Sequence, residues 1–344
     1  MKKVLGIFIL VLVVIILTAA IAPPFRSPVN IQNIIRWTGL YGIMTIGEAF
    51  VIITGGIDLS VGSIVGLTGT ITPMMLDSGM SIWLVTFIIF ALSLVIGLTH
   101  GLLITKLRLQ PFVVTLCGLF VYRGMARYIA GDATQGFGTG YTGLKYLAKG
   151  MPLSVPIPGV GWVGFPMPIV ILAGVALLAI LLLNYTIYGR YLYALGRNEI
   201  ATRFSGINTD RMIILAYIIS AVLAGFTGVL FALDLSSVQP SGHGNFFELY
   251  AIAGCVLGGC SLRGGEGSII GVIVGTLLVR VLYNAINILG IATQLEYVVI
   301  GVVILLGVAA DEIFKTIAAK RRASRQAAFH DLKSEHVGAQ LKTE

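Results

Sequence analysis

Five side chains able to ionise or to donate and accept hydrogen bonds stand inside otherwise apolar stretches: Glu48, Arg280, Asn284, Asn287 and Glu296. An ionised group at the middle of a membrane-crossing helix costs about 2.5–3.5 kcal/mol on insertion scales, so such residues face a protein interior or a wet cavity rather than lipid. Asn284 and Asn287 are three apart and Arg280 lies four before Asn284, which places all three on one helical face. That stripe can offer hydrogen bonds to a neutral polar solute, or it can tie helices together, the commoner use of asparagine in membrane bundles.

Covalent chemistry finds no candidates. His100, His243, His330 and His336 are not spaced with cysteines or carboxylates as metal ligands are. The cysteines Cys117, Cys255 and Cys260 lie in or at the ends of apolar runs and read as packing residues. Because the chain has no Gly-Lys dipeptide, the phosphate-binding loop that ends in Gly-Lys-Ser/Thr is excluded. No catalytic residue, metal or cofactor is expected.

The elements that must carry these residues are membrane spans. Of the 344 residues 57% are hydrophobic and 11% charged, and the run from Val4 to Phe25 holds no charge; about 20 apolar residues cross the hydrocarbon core. The 43 glycines would weaken helices in water but let helices approach closely in lipid. The fold class expected is all-α, a polytopic transmembrane bundle of about ten spans: Leu5–Ala22, Thr38–Thr54, Gly62–Leu76, Ile82–Thr105, Pro111–Ala130, Met167–Ile187, Met212–Leu233, Leu249–Gly259, Ser268–Leu289 and Ala292–Ala309. The eighth is too short for a full crossing and is expected to be broken or re-entrant, which lipid tolerates only where protein or a wet cavity covers the backbone. Residues 1–310 form the transmembrane domain and 311–344 a charged cytoplasmic tail, whose Lys320, Arg321, Arg322 and Arg325 are attracted to anionic lipid. The net charge of +8 has no folded basic face with aromatic neighbours, so nucleic acid is not an expected partner.

Lysine and arginine next to spans stay on the cytoplasmic side. With the N-terminus inside, that side holds Lys2, Lys3, Lys106, Arg108, Arg190, Arg197, Arg203, Arg211, Arg263 and the seven from Lys315 onward; the other holds Arg26, Arg36, Arg123, Arg127, Lys145 and Lys149. Both termini are therefore expected in the cytoplasm. A signal peptide ending near Ala20-Ile21-Ala22 is the competing reading of the first span and leaves the remaining topology unchanged. The longest outer connection, Gly131–Pro166, is rich in glycine and proline and long enough to suggest a function.

Three loops stand out. In Thr54-Gly55-Gly56-Ile57-Asp58-Leu59-Ser60-Val61-Gly62-Ser63, Asp58 or Ser60 can cap the next helix, and the glycines permit a turn. Gly55-Gly56 before Gly62-Ser63-Ile64-Val65-Gly66 is echoed by Gly258-Gly259 before Gly267-Ser268-Ile269-Ile270-Gly271, as in an internally duplicated transporter, with glycine-rich coincidence as the alternative. Within Gly189–Arg211, Asn198 reads as an N-cap and Gly206 as a stop, with Ile200, Phe204 and Ile207 on one apolar stripe and Glu199, Thr202 and Arg203 around it. Such a helix lies on the membrane or docks in a groove of a cytoplasmic partner.

Taken together, Gly55 to Ser63, the loop Ala194-Leu195-Gly196-Arg197-Asn198 with Ala201 and Ser205-Gly206-Ile207, and Leu257-Gly258-Gly259 followed by Gly264-Gly265-Glu266-Gly267-Ser268 resemble the permease subunits of ribose-type monosaccharide importers of the ATP-binding-cassette class, within the branched-chain amino acid/ribose permease superfamily. The resemblance runs over nearly the whole chain. The inner loop also resembles the Glu-Ala-Ala coupling motif of importer permeases through Glu199, Ala201 and Gly206, although Ile200 replaces the middle alanine and the glycine falls one place late. What this implies is a multi-pass subunit of the bacterial inner membrane without an ATPase of its own. Its partners would be a second permease subunit, like or unlike, cytoplasmic ATPase subunits and a periplasmic sugar-binding protein. Asn198, Glu199, Ala201, Phe204 and Gly206 would form the helix coupled to the ATPase, and Glu48, Asn284 and Asn287 would line the solute pathway. The alternative class is an ion-coupled secondary transporter in which Glu48, Glu296 or Arg280 relays a proton or cation.

Overall fold

The computed structural model describes residues 2–309 apart from 139, 304 and 308; the charged tail 311–344 lies outside the described residues. The chain divides into two units, Met1–Glu296 and Tyr297–Glu344, and the described part of the second belongs to an apolar helix, Glu296–Gly307. The first unit runs α1 (Lys2–Ile21), α2 (Pro28–Thr54), α3 (Val61–Asp77), α4 (Ile82–Thr105), α5 (Pro111–Ala130), β1 (Gln135–Gly136), α6 (Thr142–Lys149), β2 (Leu153–Ile157), β3 (Gly161–Phe165), α7 (Met167–Tyr185), α8 (Ile187–Arg197), α9 (Glu199–Phe204), α10 (Thr209–Leu235), β4 (Ser237–Val238), α11 (Phe247–Leu257) and α12 (Ile269–Ile288).

Among the described residues six helices are long and apolar enough to cross a membrane: α2, α4, α5, α7, α10 and α12. They fall where the second, fourth, fifth, sixth, seventh and ninth spans are expected. Shorter apolar helices at Leu5–Ile21, Phe247–Leu257 and Glu296–Gly307 occupy the first, eighth and tenth positions. The bounds of α4 and α5 agree with the sequence reading. By contrast, α2 starts ten residues before the expected Thr38, because Ser27 caps it by accepting from the Asn30 amide at 3.3 Å and Pro28 begins the first turn. Its polar opening residues, Asn30, Gln32, Asn33 and Arg36, hid that start.

Burial sorts the helices. The apolar window of α2 is 89% buried, whereas those of α4, α5 and α7 are 28%, 22% and 28% buried, so α2 is the central post and the other three present a face to lipid. Small residues let the post be wrapped tightly. Gly39 of α2 meets the backbone of Pro168 and Ile169 at the start of α7, and Gly228 of α10 meets the backbone of Val65 in α3. Gly97 of α4 sits against the backbone of Tyr217 and Ile218 in α10. The connection Gly131–Pro166 is not a bare linker: β1 pairs antiparallel with β4, α6 follows, and β2 and β3 form an antiparallel hairpin. It leaves α5 through an ion pair between Arg127 and Asp132 at 2.6 Å, which holds the Asp132 carboxyl below the usual carboxylate range.

A methyl group at Gly97 would lie 2.6 Å from both the Ile218 Cα and the Tyr217 carbonyl oxygen, and backbone cannot step aside as a side chain can. Gly97→Val is expected to destabilise the α4–α10 contact by about 1–3 kcal/mol or more, as overpacking does. Gly174→Ala on α7, with nothing within 4 Å, is expected to be neutral. Thermal inactivation of the two variants in detergent checks both.

Candidate functional site

The three glycine-bearing segments, far apart in sequence, meet at one end of α2. The carbonyl of Ile53 accepts a hydrogen bond from the Gly265 amide at 2.9 Å. A Cβ on Gly196 would stand 1.9 Å from that same carbonyl oxygen and 2.3 Å from the Gly265 nitrogen; a Cβ on Gly264 would stand 2.7 Å from the Gly196 oxygen and 2.8 Å from the Gly55 nitrogen. Gly55, Gly264 and Gly265 have φ of +87°, +82° and +72°, so conformation demands glycine at all three, and space demands it as well at Gly264 and Gly265. Tyr193 seals the junction by donating to the Gly267 carbonyl at 3.0 Å. An open cleft of about 480 Å³ borders it, lined by Tyr193, Ala194, Arg197, Gly265, Glu266 and Gly267.

Directly after Arg197 comes α9. Asn198 caps it, its side-chain oxygen accepting from the Ala201 amide at 2.9 Å, and Gly206 ends the segment at φ +81°. Ile200 and Phe204 are 70% and 88% exposed, so its apolar stripe lies open. Thr202, read from the sequence as part of the polar surround, is instead buried, its hydroxyl bonded back to the Asn198 carbonyl. Arg203 holds Glu199 at 2.7 Å and reaches the Thr209 hydroxyl and Asp210 at the start of α10, and Asp210 also pairs with Lys106 at 2.7 Å. The helix is thereby fastened to α10 and to the connection after α4.

Beyond the junction the chain folds back into the bundle. Asp58 donates its amide to Glu48 Oε1 at 3.1 Å, six residues before the end of α2 and so about 9 Å inside it. Neither Asp58 nor Ser60 caps α3 as the sequence suggests. The Asp58 carboxylate instead accepts from the Ser60 amide at 3.0 Å, the Ser60 hydroxyl at 2.6 Å and, across the bundle, the Ser220 hydroxyl of α10 at 3.0 Å. Thr115 of α5 donates to the Ile57 carbonyl at 3.1 Å. Glu48 Oε2 and the Tyr217 hydroxyl are buried without a hydrogen-bond partner.

Glu48 shares one face of α2 with Asn30, Trp37 and Tyr41, which precede it at spacings of seven, four and seven. The stripe is about 27 Å long. At its far end Asn30 and Asn284 of α12 exchange amide hydrogen bonds of 2.7 and 3.0 Å. Between the ends, the Arg280 guanidinium lies over the rings of Tyr283, Tyr41 and Trp37 at 4.4, 4.5 and 5.3 Å. Asn287 stands apart on the exposed surface of α12, bonded to the Tyr283 carbonyl. Glu48, Asn284 and Asn287 thus do not converge: the first two mark opposite ends of the α2 stripe. Asn30, Trp37 and Tyr41 could have been found from their spacing with Glu48, whereas Ser220 carries no local signal.

The eighth expected span is a short apolar helix. That helix is α11, and residues 239–246, which precede it, are irregular. Arg123 of α5 donates to the carbonyls of Pro240 and His243, and Phe247 packs on Tyr41 and Phe231 with ring centroids 4.7 and 4.9 Å away. A Cβ on Gly62 would fall 2.4 Å from the Gly244 carbonyl and 2.2 Å from Glu248 Oε2, so α3 lies hard against this run.

The family described as branched-chain amino acid transport system / permease component matches residues 30–308. The ribose import permease of Bacillus subtilis is 39% identical over 308 residues, covering 89% of this chain and 91% of that protein. The D-allose transport system permease of Escherichia coli is 32% identical over 311 residues, covering 90% of this chain and 91% of its own. The xylose transport system permease of Haemophilus influenzae is 30% identical over 334 residues, covering 83% and 89%. No solved structure matches the chain. The bundle of apolar helices and the glycine junction belong to a region that the family covers almost whole, and this multi-pass membrane chain is a member of the branched-chain amino acid transport system / permease component family.

Proposed function

We propose that the chain is the membrane permease of an ATP-binding-cassette importer for a monosaccharide, placed in the bacterial inner membrane with both termini in the cytoplasm. The observation that carries this reading is the glycine junction beside an open α9, within a chain that resembles ribose, allose and xylose permeases over most of its length. In this reading a cytoplasmic ATPase subunit receives the Ile200 and Phe204 stripe, and Asn198, Glu199, Ala201 and Gly206 set the helix that carries it. A second permease subunit pairs with this one, and a periplasmic sugar-binding protein docks on the face bearing α6 and the β2–β3 hairpin. The permease itself carries out no bond-making step: closure of the ATPase displaces α9, and the bundle exchanges access between its two faces. Glu48, Asn284 and Asn287 belong to the proposed solute route, Glu48 at its junction end and the two asparagines at the other.

An internal duplication is part of the proposal, supported by the helix ends that precede α3 and α12. Gly55 and Gly259 have φ of +87° and +89°, and both turns close with the same two bonds, Gly55 to Ile52 and Gly56 to Val51, Gly259 to Val256 and Cys260 to Cys255. The copies diverge after that: Ser268 caps α12, whereas Ser63 lies inside α3.

Two measurements test the reading. Cysteines placed at Ser205 and at Thr142, in a background without native cysteines, should react from opposite sides of the membrane; labelling of Ser205→Cys by an impermeant reagent outside intact cells would overturn the topology. Phe204→Asp puts a charge on the open stripe, where a docked groove could not solvate it. Sugar uptake should fall at least tenfold with the protein still present in the membrane at normal abundance. Normal uptake together with normal co-purification of the ATPase would make α9 a connector only, and uptake driven by an imposed proton or sodium gradient without any ATPase would replace the importer with a secondary transporter.

A further inference from the structure

Residues 239–246 enter the bundle through turns without a helix. Their start is fixed beside one end of α3: Val238 pairs with Gln135, and the Leu76 carbonyl nearby in that layer accepts from Tyr141. Their finish lies beside the other end, where Gly244 abuts Gly62. The Gln239 carbonyl accepts from the His243 amide at 2.8 Å, so the run is folded into turns as it enters the bundle rather than stretched along α3. Irregular backbone at such depth persists in a membrane only where protein covers it or where it lines a water-filled cavity.

One side of the run is covered. Arg123 takes the carbonyls of Pro240 and His243, and His243 and Gly244 are buried against Gly62, Gly66 and Gly69 of α3. The other side is open: Gln239, Gly242 and Asn245 are exposed, and Phe246 is 48% exposed. Phe246 also has φ +62°, a left-handed conformation disfavoured for a residue with a Cβ. Asn245 donates to the Ser241 carbonyl at 3.0 Å, but a strained aromatic beside two exposed carboxamides is still poor lipid-facing chemistry, because the remaining amide donors and acceptors would go unpaired in hydrocarbon. It is good chemistry for a neutral polyol: carboxamides donate to and accept from hydroxyls, and a ring face takes the C–H face of a pyranose or furanose.

We propose that residues 239–246 form a wall of the solute route at mid-depth, where Gln239, Asn245 and the ring of Phe246 touch the passing monosaccharide. The proposal rests on the sugar-importer reading for the identity of the solute, but not for the existence of a wet wall. It adds to Glu48, Asn284 and Asn287 a contact set on a different part of the chain, held from behind by Arg123 and Phe247.

The test uses the assembled transporter in membranes, in a Cys117→Ser background, since Cys255 and Cys260 are buried. Asn245→Cys and Phe246→Cys should react with a small cationic methanethiosulfonate at least tenfold faster than Leu178→Cys, which is 68% exposed on the lipid-facing surface of α7. D-Ribose with its binding protein and ATP should slow that reaction. Reaction no faster than at Leu178→Cys would place the run against lipid, and a spontaneous disulfide between two copies of Asn245→Cys would mean that a second permease covers it; either result overturns the wall. Phe246→Gly relieves the left-handed strain while deleting the ring, so stability should hold or rise while D-ribose uptake falls at least fivefold. Uptake within twofold of the wild type would remove the ring from the contact set. Fast labelling in a complex that takes up none of D-ribose, D-xylose and D-allose would leave the wet wall standing and overturn the monosaccharide contact.

Discussion

A chain in hydrocarbon has no water to satisfy its amides and carbonyls, and that constraint decides where the polar side chains of this protein are found. Helices meet it internally, so the demand concentrates at the two places where helix is abandoned inside the bundle: the turn between α2 and α3, and the run between α10 and α11. Polar side chains gather at those breaks. Glu48 accepts the Asp58 amide, Asp58 accepts the Ser60 amide, and Thr115 donates to the Ile57 carbonyl. At the second break Arg123 donates to two carbonyls. Much of the buried polarity is thus devoted to backbone. Buried groups left over after that service, among them Glu48 Oε2 and the Tyr217 hydroxyl, are the ones free to respond to a change in conformation or to water entering the bundle.

Glycine answers the same constraint by a different route. Between lipid-immersed helices there is no hydrophobic gain from association, so contact depends on packing at close range. The junction of Gly55, Gly196, Gly264 and Gly265 brings three separate stretches of backbone within direct hydrogen-bond reach, with the Ile53 carbonyl at its centre. A side chain at Gly196, Gly264 or Gly265 would part the segments. The spacing of these glycines in sequence therefore records a three-dimensional contact, which explains why the segments carried the family resemblance together.

Features that follow from one segment were legible in the sequence, and features that need two were not. The caps of α9, the bounds of α4 and α5, and the shortness of the eighth expected span all depend on residues a few places apart. The start of α2 was hidden because its polar first turns imitate a loop, although Ser27 and Pro28 mark it. The partner of Asn284 proved to be Asn30, 254 residues away, and that of Asp58 proved to be Ser220, 162 residues away. Burial of Thr202 likewise depends on what its helix packs against, since helical spacing gives a face and not its occupant.

One helix links the proposed coupling end to the irregular run before α11. Arg203 in α9 holds Thr209 and Asp210, the first residues of α10, while the last turn of α10 leads through β4 into residues 239–246. Over its 27 residues α10 is about 40 Å long. Midway along it, Ser220 is tied to Asp58 in the turn after α2, and Gly225 and Gly228 press against α4 and α3. A close-packed helix does not compress, so a push on α9 travels along α10 as a rigid displacement or tilt rather than being absorbed locally. The two breaks in helical structure interrupt the helical ladder, and side chains of α2, α5 and α10 complete their hydrogen bonding. In the proposed importer, α10 therefore joins α9 at one end to the Asp58 turn at its middle and the irregular run at its other end, so that a displacement of α9 is felt at both breaks.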